Sequence, residues 1–221
     1  MREPLPLQPI VPLPNVVFFP KTILPLHIFE PRYRLMAADA LAGEKSLCVV
    51  LLKPGWEADY EGSPEVYPVG CVGRIVQHQK LPDGRYNLTL HGEDKVIIEG
   101  FERLDPYRLG RVRTVIDDAT WVDEAGVAEE SSALLELFRR GHQGPGIDLA
   151  QVFSPHMSPE AVLNSVAMHL NVEPEIKQHL LEIESVGARY RTILQILRGA
   201  STTQERIDRV RHLYPRDRRV N

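Results

Sequence analysis

Five prolines between positions 12 and 31 limit what the start of this chain can become. In Pro12-Leu13-Pro14-Asn15-Val16-Val17-Phe18-Phe19-Pro20-Lys21-Thr22-Ile23-Leu24-Pro25-Leu26-His27-Ile28-Phe29-Glu30-Pro31-Arg32-Tyr33 each proline fixes φ and removes a backbone donor, so no helix runs through it before Pro31. The Val, Ile and Phe residues between them suit buried, extended chain. The stretch predicts strand, corner, strand. At Glu30-Pro31 the pattern changes, because proline suits the first position of a helix and Tyr33, Leu35, Met36 and Ala40 recur at helical spacing. Phe29, in the apolar run just ahead of that helix, is expected in the core. If it is fully buried, its truncation to Ala is expected to cost about 3–5 kcal/mol.

Ser46-Leu47-Cys48-Val49-Val50-Leu51-Leu52 is an apolar run short enough for a buried strand. Lys53 to Pro68 breaks the pattern with prolines, glycines, acids and the aromatics Trp56, Tyr60 and Tyr67, and reads as a long loop. Val72 to Lys80 is strand-like, and Leu81-Pro82-Asp83-Gly84-Arg85 has the residues of a tight turn. Tyr86, Leu88 and Leu90 then alternate with Asn87, Thr89 and His91, as in a half-buried strand. Lys95 to Leu104 and Tyr107 to Ile116 complete a set of six or seven strands, enough for a small barrel or sandwich. Cys48 and Cys71 lie in strand-like runs and are expected as buried free thiols.

After Asp117-Asp118 the apolar period becomes helical. Leu134, Leu135, Leu137 and Phe138 form one face, with Gly141 to Gly146 ending it. Ser158-Pro159-Glu160 and Glu173-Pro174-Glu175 read as helix starts, Ile176, Leu180 and Leu181 as a core side, and Ser185 as a cap for a helix ending at Gly199. Thr202-Thr203-Gln204-Glu205 has the spacing of a capping box for a further helix. Asp117-Asp118 and Glu129-Glu130 read as solvated linker charge. Period and charge change together here, giving an expected division into residues 1–118, β-rich, and 119–221, helical with a basic C-terminal tail.

The run Pro-Leu-Pro-Asn-Val-Val-Phe-Phe-Pro, followed by Leu-Pro-Leu-His-Ile-Phe-Glu-Pro-Arg-Tyr-Arg, resembles the opening motif of the N-terminal domain of Lon-type ATP-dependent proteases. Gly70-Cys71-Val72-Gly73-Arg74-Ile75, Leu81 to Leu88, Gly92, Tyr107 and the Pro174 to Glu182 stretch extend the resemblance, which covers about Leu5 to Leu197. Lys95 stands where that family suggests Arg. The resemblance implies an α+β fold, a PUA-like pseudo-barrel of six to seven strands with one short helix, followed by an α-helical bundle. A full Lon protease continues into a nucleotide-binding module and a Ser-Lys peptidase. Neither appears in this sequence, so the resemblance implies a stand-alone, substrate-recognising member.

The search for chemistry agrees with a non-catalytic reading. No Gly-x-x-x-x-Gly-Lys-Ser/Thr loop is present to cradle a phosphate, and Gly144-Pro145-Gly146 lacks the lysine. No Cys-x-x-Cys or His-Glu-x-x-His pattern offers a metal site. His169 and His179 fall on separate helices, and His27 reads as a hydrogen-bonded structural histidine. Ser131, Ser132, Ser154 and Ser158 have no glycine-flanked elbow. No catalytic, cofactor-binding or metal-binding residue is assigned, and no enzyme activity or cofactor is expected.

Two features remain as binding candidates. Trp56, Tyr60 and Tyr67 are aromatics of the kind that anchor partners, although such side chains also pin loops onto barrels. Arg216, Arg218 and Arg219 end a basic tail suited to phosphates or an acidic partner, or to folding back on the acidic helices before it. The expected function is recognition of unfolded or degron-bearing polypeptide, or of another protein, as a substrate-recognition or adaptor module in protein quality control. The alternative is a nucleic-acid-binding module using the barrel and tail. No uninterrupted apolar stretch is long enough to span a membrane and no signal peptide is evident, so a cytoplasmic location is expected.

Overall fold

Extended chain imposed by the opening prolines becomes the first two strands of a closed β-structure. The computed structural model describes residues 6–59, 62–118, 124–141, 153 and 156–211. Six strands run β1 (Gln8–Leu13), β2 (Ile23–Ile28), β3 (Ser46–Leu52), β4 (Val66–Lys80), β5 (Tyr86–Arg103) and β6 (Arg108–Thr114), with helix α1 (Pro31–Ala42) between β2 and β3. The sheet order is β2-β5-β4-β3-β1-β6, and β5 also pairs with β6, so five strands close on themselves. β1 and β3 are parallel, joined through β2 and α1, and every other pairing is antiparallel. β2 lies outside the closed ring and pairs with the first half of β5 through Ile23–His91 to Ile28–Tyr86. The fold is α+β.

β5 carries the closure because it is long. The sequence pattern divides it in two, whereas the ladder to β4 continues through Gly92 to Val96 with a register shift at Val72/Gly73, which lets one strand serve both β2 and β6. Its inward residues Tyr86, Leu88 and Leu90 are buried, as their alternation predicts. Cys48 and Cys71 are buried free thiols, and burial pushes the Cys48 thiol up to about 12. The segment after β3 is shorter than the expected loop, with a 3₁₀ turn at Trp56–Asp59 and β4 already begun at Val66.

The corner between β1 and β2 is wedged into the structure rather than laid over it. Val17, Phe18 and Phe19 are buried, Phe18 among the barrel residues and Phe19 among the helices. Room for them comes from Gly73 and Gly92, which face each other across β4 and β5. A Cβ on Gly92 would stand 2.3 Å from the Phe19 carbonyl oxygen, and one on Gly73 2.6 Å from the Phe18 ring. Backbone bonds from Lys21 N–H to the Gly92 carbonyl (2.7 Å) and from Gly92 N–H to the Thr22 carbonyl (2.9 Å) close the corner.

Four helices follow among the described residues: α2 (Glu124–Gly141), α3 (Pro159–His169), α4 (Pro174–Glu182) and α5 (Val186–Arg211). Ser158 and Ser185 cap α3 and α5 by accepting from the N–H groups of Ala161 and Ala188, each at 3.3 Å. α5 does not stop at Gly199. A glycine inside a helix costs only about 1 kcal/mol, less than the gain from the buried Val186, Tyr190, Ile193 and Leu197 face that precedes it. Ile176 is exposed, leaving Leu180 and Leu181 as the core side of α4.

Asp117 is a largely buried ion-pairing anchor, not solvated linker charge. Lys95 on β5 and Arg189 on α5 both ion-pair with it. Arg189 is fully buried and also donates to the carbonyls of Leu180 (2.8 Å) and Ile183 (2.8 Å) and to Asn164 Oδ1 (3.0 Å). Asn164 in turn donates to the Pro20 carbonyl at 3.0 Å, and Lys95 to the Ile183 carbonyl at 3.1 Å. Burial lowers the Lys95 pKa, and the bond to Asp117 opposes that shift. Asp118 joins the same seam through its backbone, to the Glu184 carbonyl (2.7 Å) and from Val186 N–H (3.1 Å).

Phe29 departs from expectation: it is 59% exposed, its ring stacked on His27 with centroids 6.3 Å apart. Position 28 already turns Ile28 inward, so the next side chain of the extended chain faces out. Phe29→Ala is therefore expected to change stability by less than about 1 kcal/mol in urea titration, since surface substitutions rarely do more. Gly92→Ala should lower it by about 1–3 kcal/mol in the same assay by overpacking the corner. Arg189→Met should lose about 3 kcal/mol by breaking a buried ion pair, with barrel and helical signals melting together.

Candidate functional site

One end of the barrel is left open by its own connections. There the first turn of α1, the turn between β5 and β6, and the return leg Gly62–Pro64 enclose a groove of about 590 Å³. α1 reaches this end because Pro31 fixes its first turn beside the end of β2, with Arg34 N–H bonded to the Glu30 carbonyl at 2.8 Å. The β5–β6 turn is held against α1 by the Tyr107 hydroxyl, which donates to Asp39 Oδ2 at 2.7 Å. Burial and that bond raise the Tyr107 pKa. The Arg103 guanidinium lies over the Tyr107 ring, 4.3 Å from its centroid.

The groove walls are partly apolar. Leu35 and Leu104, 47% and 49% exposed, face it together with Pro31 and Pro106. Polar character comes from Arg32, Ser63 and Asp105. Arg32 pairs with Glu30 at 3.1 Å and lies over the Tyr33 ring. Burial raises the Tyr33 pKa, with Arg32 opposing. Below the groove is a narrow recess of about 20 Å³, lined by Arg32, Tyr33, Leu52, Pro64, Tyr107 and Arg108 among others.

Arg108 occupies an inward-facing position of β6, opposite Ile10, and is 6% exposed. Its Nη2 donates to the Pro64 carbonyl at 2.7 Å, which ties the loop leg to the barrel. Desolvation lowers its pKa. Sequence reasoning missed it. The available signal was an arginine in phase with Gly110 and Val112 on the buried side of a strand.

The aromatics singled out from the sequence separate. Trp56 is half-buried on the 3₁₀ turn that opens the loop whose return leg forms a groove wall. Tyr67 is on β4, partly buried against the helical cluster. Tyr60, Arg216, Arg218 and Arg219 lie outside the described residues. Among the described residues no three His, Cys, Asp or Glu side chains gather as a metal site, and no helix is long and apolar enough to cross a membrane. His27 is hydrogen-bonded on both ring nitrogens, to Asn87 (2.7 Å) and Arg85 (3.2 Å).

The model of the ATP-dependent protease La (LON) substrate-binding domain matches residues 8–199. The chain belongs to the Lon substrate-binding domain family. Lon protease 2 of Syntrophobacter fumaroxidans is 28% identical over 94% of this chain and 27% of the relative, and Lon protease of Anaeromyxobacter dehalogenans 28% over 89% and 24%. The chain thus spans about a quarter of the length of the curated relatives it matches. A Lon N-terminal domain protein from Xanthomonas campestris has the same fold, with TM-score 0.61 and 20% identity over 86% of this chain and 98% of that one. The N-terminal domain of Mycobacterium avium complex Lon protease gives 0.62 and 18% over 87% and 98%. The matched region of Lon is the substrate-binding domain, not the peptidase.

Proposed function

We propose that this Lon-type domain is a non-catalytic module that captures unfolded or degron-bearing polypeptide, or a protein partner, in the groove at the open end of the barrel. Its role is substrate recognition or adaptation in protein quality control. The observation that carries this reading is the pair of half-exposed leucines, Leu35 and Leu104, lining a groove of about 590 Å³. In a domain whose family is described as substrate-binding, such a groove fits the apolar residues that unfolded chains expose. Trp56 is placed to extend the contact from the adjoining loop. Tyr67 serves packing between barrel and helices more than capture. In this division of labour residues 1–118 form the capturing subdomain and 119–221 its helical support.

Binding energy concentrates in a few large anchors. Trp56→Ala combined with Leu104→Ala is expected to weaken capture of a permanently unfolded, fluorescently labelled client by about 2 kcal/mol, with the melting temperature nearly unchanged. Arg216, Arg218 and Arg219 changed together to Ala serve as the comparison, with affinity measured at low and high salt. If the groove variant binds normally while the tail variant loses a steeply salt-dependent affinity, the site is misassigned and nucleic-acid or acidic-partner binding replaces it.

A further inference from the structure

We infer that the recess beneath the groove receives the C-terminal carboxylate of the bound polypeptide, with Arg108 as its principal contact. The inference rests on the groove being the polypeptide site. Three cationic side chains are buried in the described chain: Lys95, Arg108 and Arg189. Lys95 and Arg189 share Asp117, whereas Arg108 has no carboxylate ion-paired to it among the described residues. Among the described residues its guanidinium donates to the Pro64 carbonyl, and the Phe101 ring lies 5.8 Å away.

A guanidinium carries five N–H donors in a planar fork, and burying it without a counter-charge is costly. A carboxylate matches that fork with two oxygens and restores the charge balance. The surrounding acids do not supply it. Glu30 is paired with Arg32, Asp105 is exposed, Asp59 is exposed and acts on the Arg108 charge without forming an ion pair, and no acid lines the recess among the described residues.

Shape selects a chain end over a side chain. The recess is small, about 20 Å³, while the groove above it is open and has Leu35 and Leu104 as walls. A segment lying in the groove can put its last carboxylate into such a dead end and leave its apolar side chains against the leucines. An internal Asp or Glu would need the main chain to continue past the same wall.

The test uses the full chain and a short, apolar, fluorescein-labelled peptide in three forms: free C-terminal acid, C-terminal amide, and amide with a Glu near its end. Anisotropy titration should show the free acid binding about tenfold or more tighter than either amide, the size expected for a charge-assisted pair. Arg108→Lys and Arg108→Gln should lose that preference while keeping the affinity for the amide. Equal binding of acid and amide by the unaltered protein overturns the inference and leaves polypeptide binding standing. Tight binding of the Glu-bearing amide overturns the terminal assignment in favour of a side-chain carboxylate. If no form binds, the groove reading falls and takes this one with it. Should the Arg108 variants unfold, the acid–amide comparison on the unaltered protein still decides.

Discussion

Two glycines facing each other across β4 and β5 let the rest of the structure assemble. Without side chains at Gly73 and Gly92, the Phe18-Phe19-Pro20 corner sinks to the sheet backbone, closer than any Cβ would permit. Because neighbouring residues of extended chain point opposite ways, Phe18 fills the barrel and Phe19 reaches the helices. A single dipeptide thus belongs to two cores. The prolines around it lower the entropy lost on fixing this corner, since their φ angles are set before folding begins.

The polar seam at Asp117 works alongside that wedge. Buried ion pairs seldom add much stability over apolar packing, but breaking one leaves a stranded charge, so the arrangement enforces a single docking geometry. Here it fixes α3, α5 and the end of α4 to β5 and to the Pro20 carbonyl at once. A Lys serves at position 95, where the family resemblance suggests Arg, because its one ammonium reaches both the Asp117 carboxylate and the Ile183 carbonyl. Arg108, at the other end of the barrel, has the burial of these residues but no ion-paired carboxylate among the described residues.

Local chemistry was readable and long-range chemistry was not. Prolines in the opening stretch, the short apolar run of β3 and the alternation of Tyr86 to Leu90 announce their structure because each acts on its own backbone. Ser158 and Ser185 could likewise be read as caps. Asp117 could not be read as a largely buried anchor, since its partners lie at 95 and 189 and nothing near it in sequence distinguishes it from a solvated acid. Phe29 misled because an apolar run predicts burial but does not fix the phase at its last residue. β5 looked like two strands because its register shift lies in the pairing to β4. The groove was illegible for a similar reason: Leu35 on α1, Leu104 in the β5–β6 turn and Arg108 on β6 meet only when the barrel closes. Of the aromatics expected to bind, Trp56 lies on the loop that supplies a groove wall, and Tyr67 packs toward the helices.

β2 shows how an exposed strand edge can be kept from pairing. Among the described strands it pairs only with β5, so its other side is a sheet edge, and Pro25 sits in its middle. A proline fits a paired strand when its nitrogen points away from the partner, so the missing donor falls on the open side. Any extended segment trying to join there meets a gap halfway along, and two copies of the protein meet two gaps. The edge is thereby poisoned against fibre-like stacking, and a copy of the chain meeting it edge to edge finds no continuous ladder to extend.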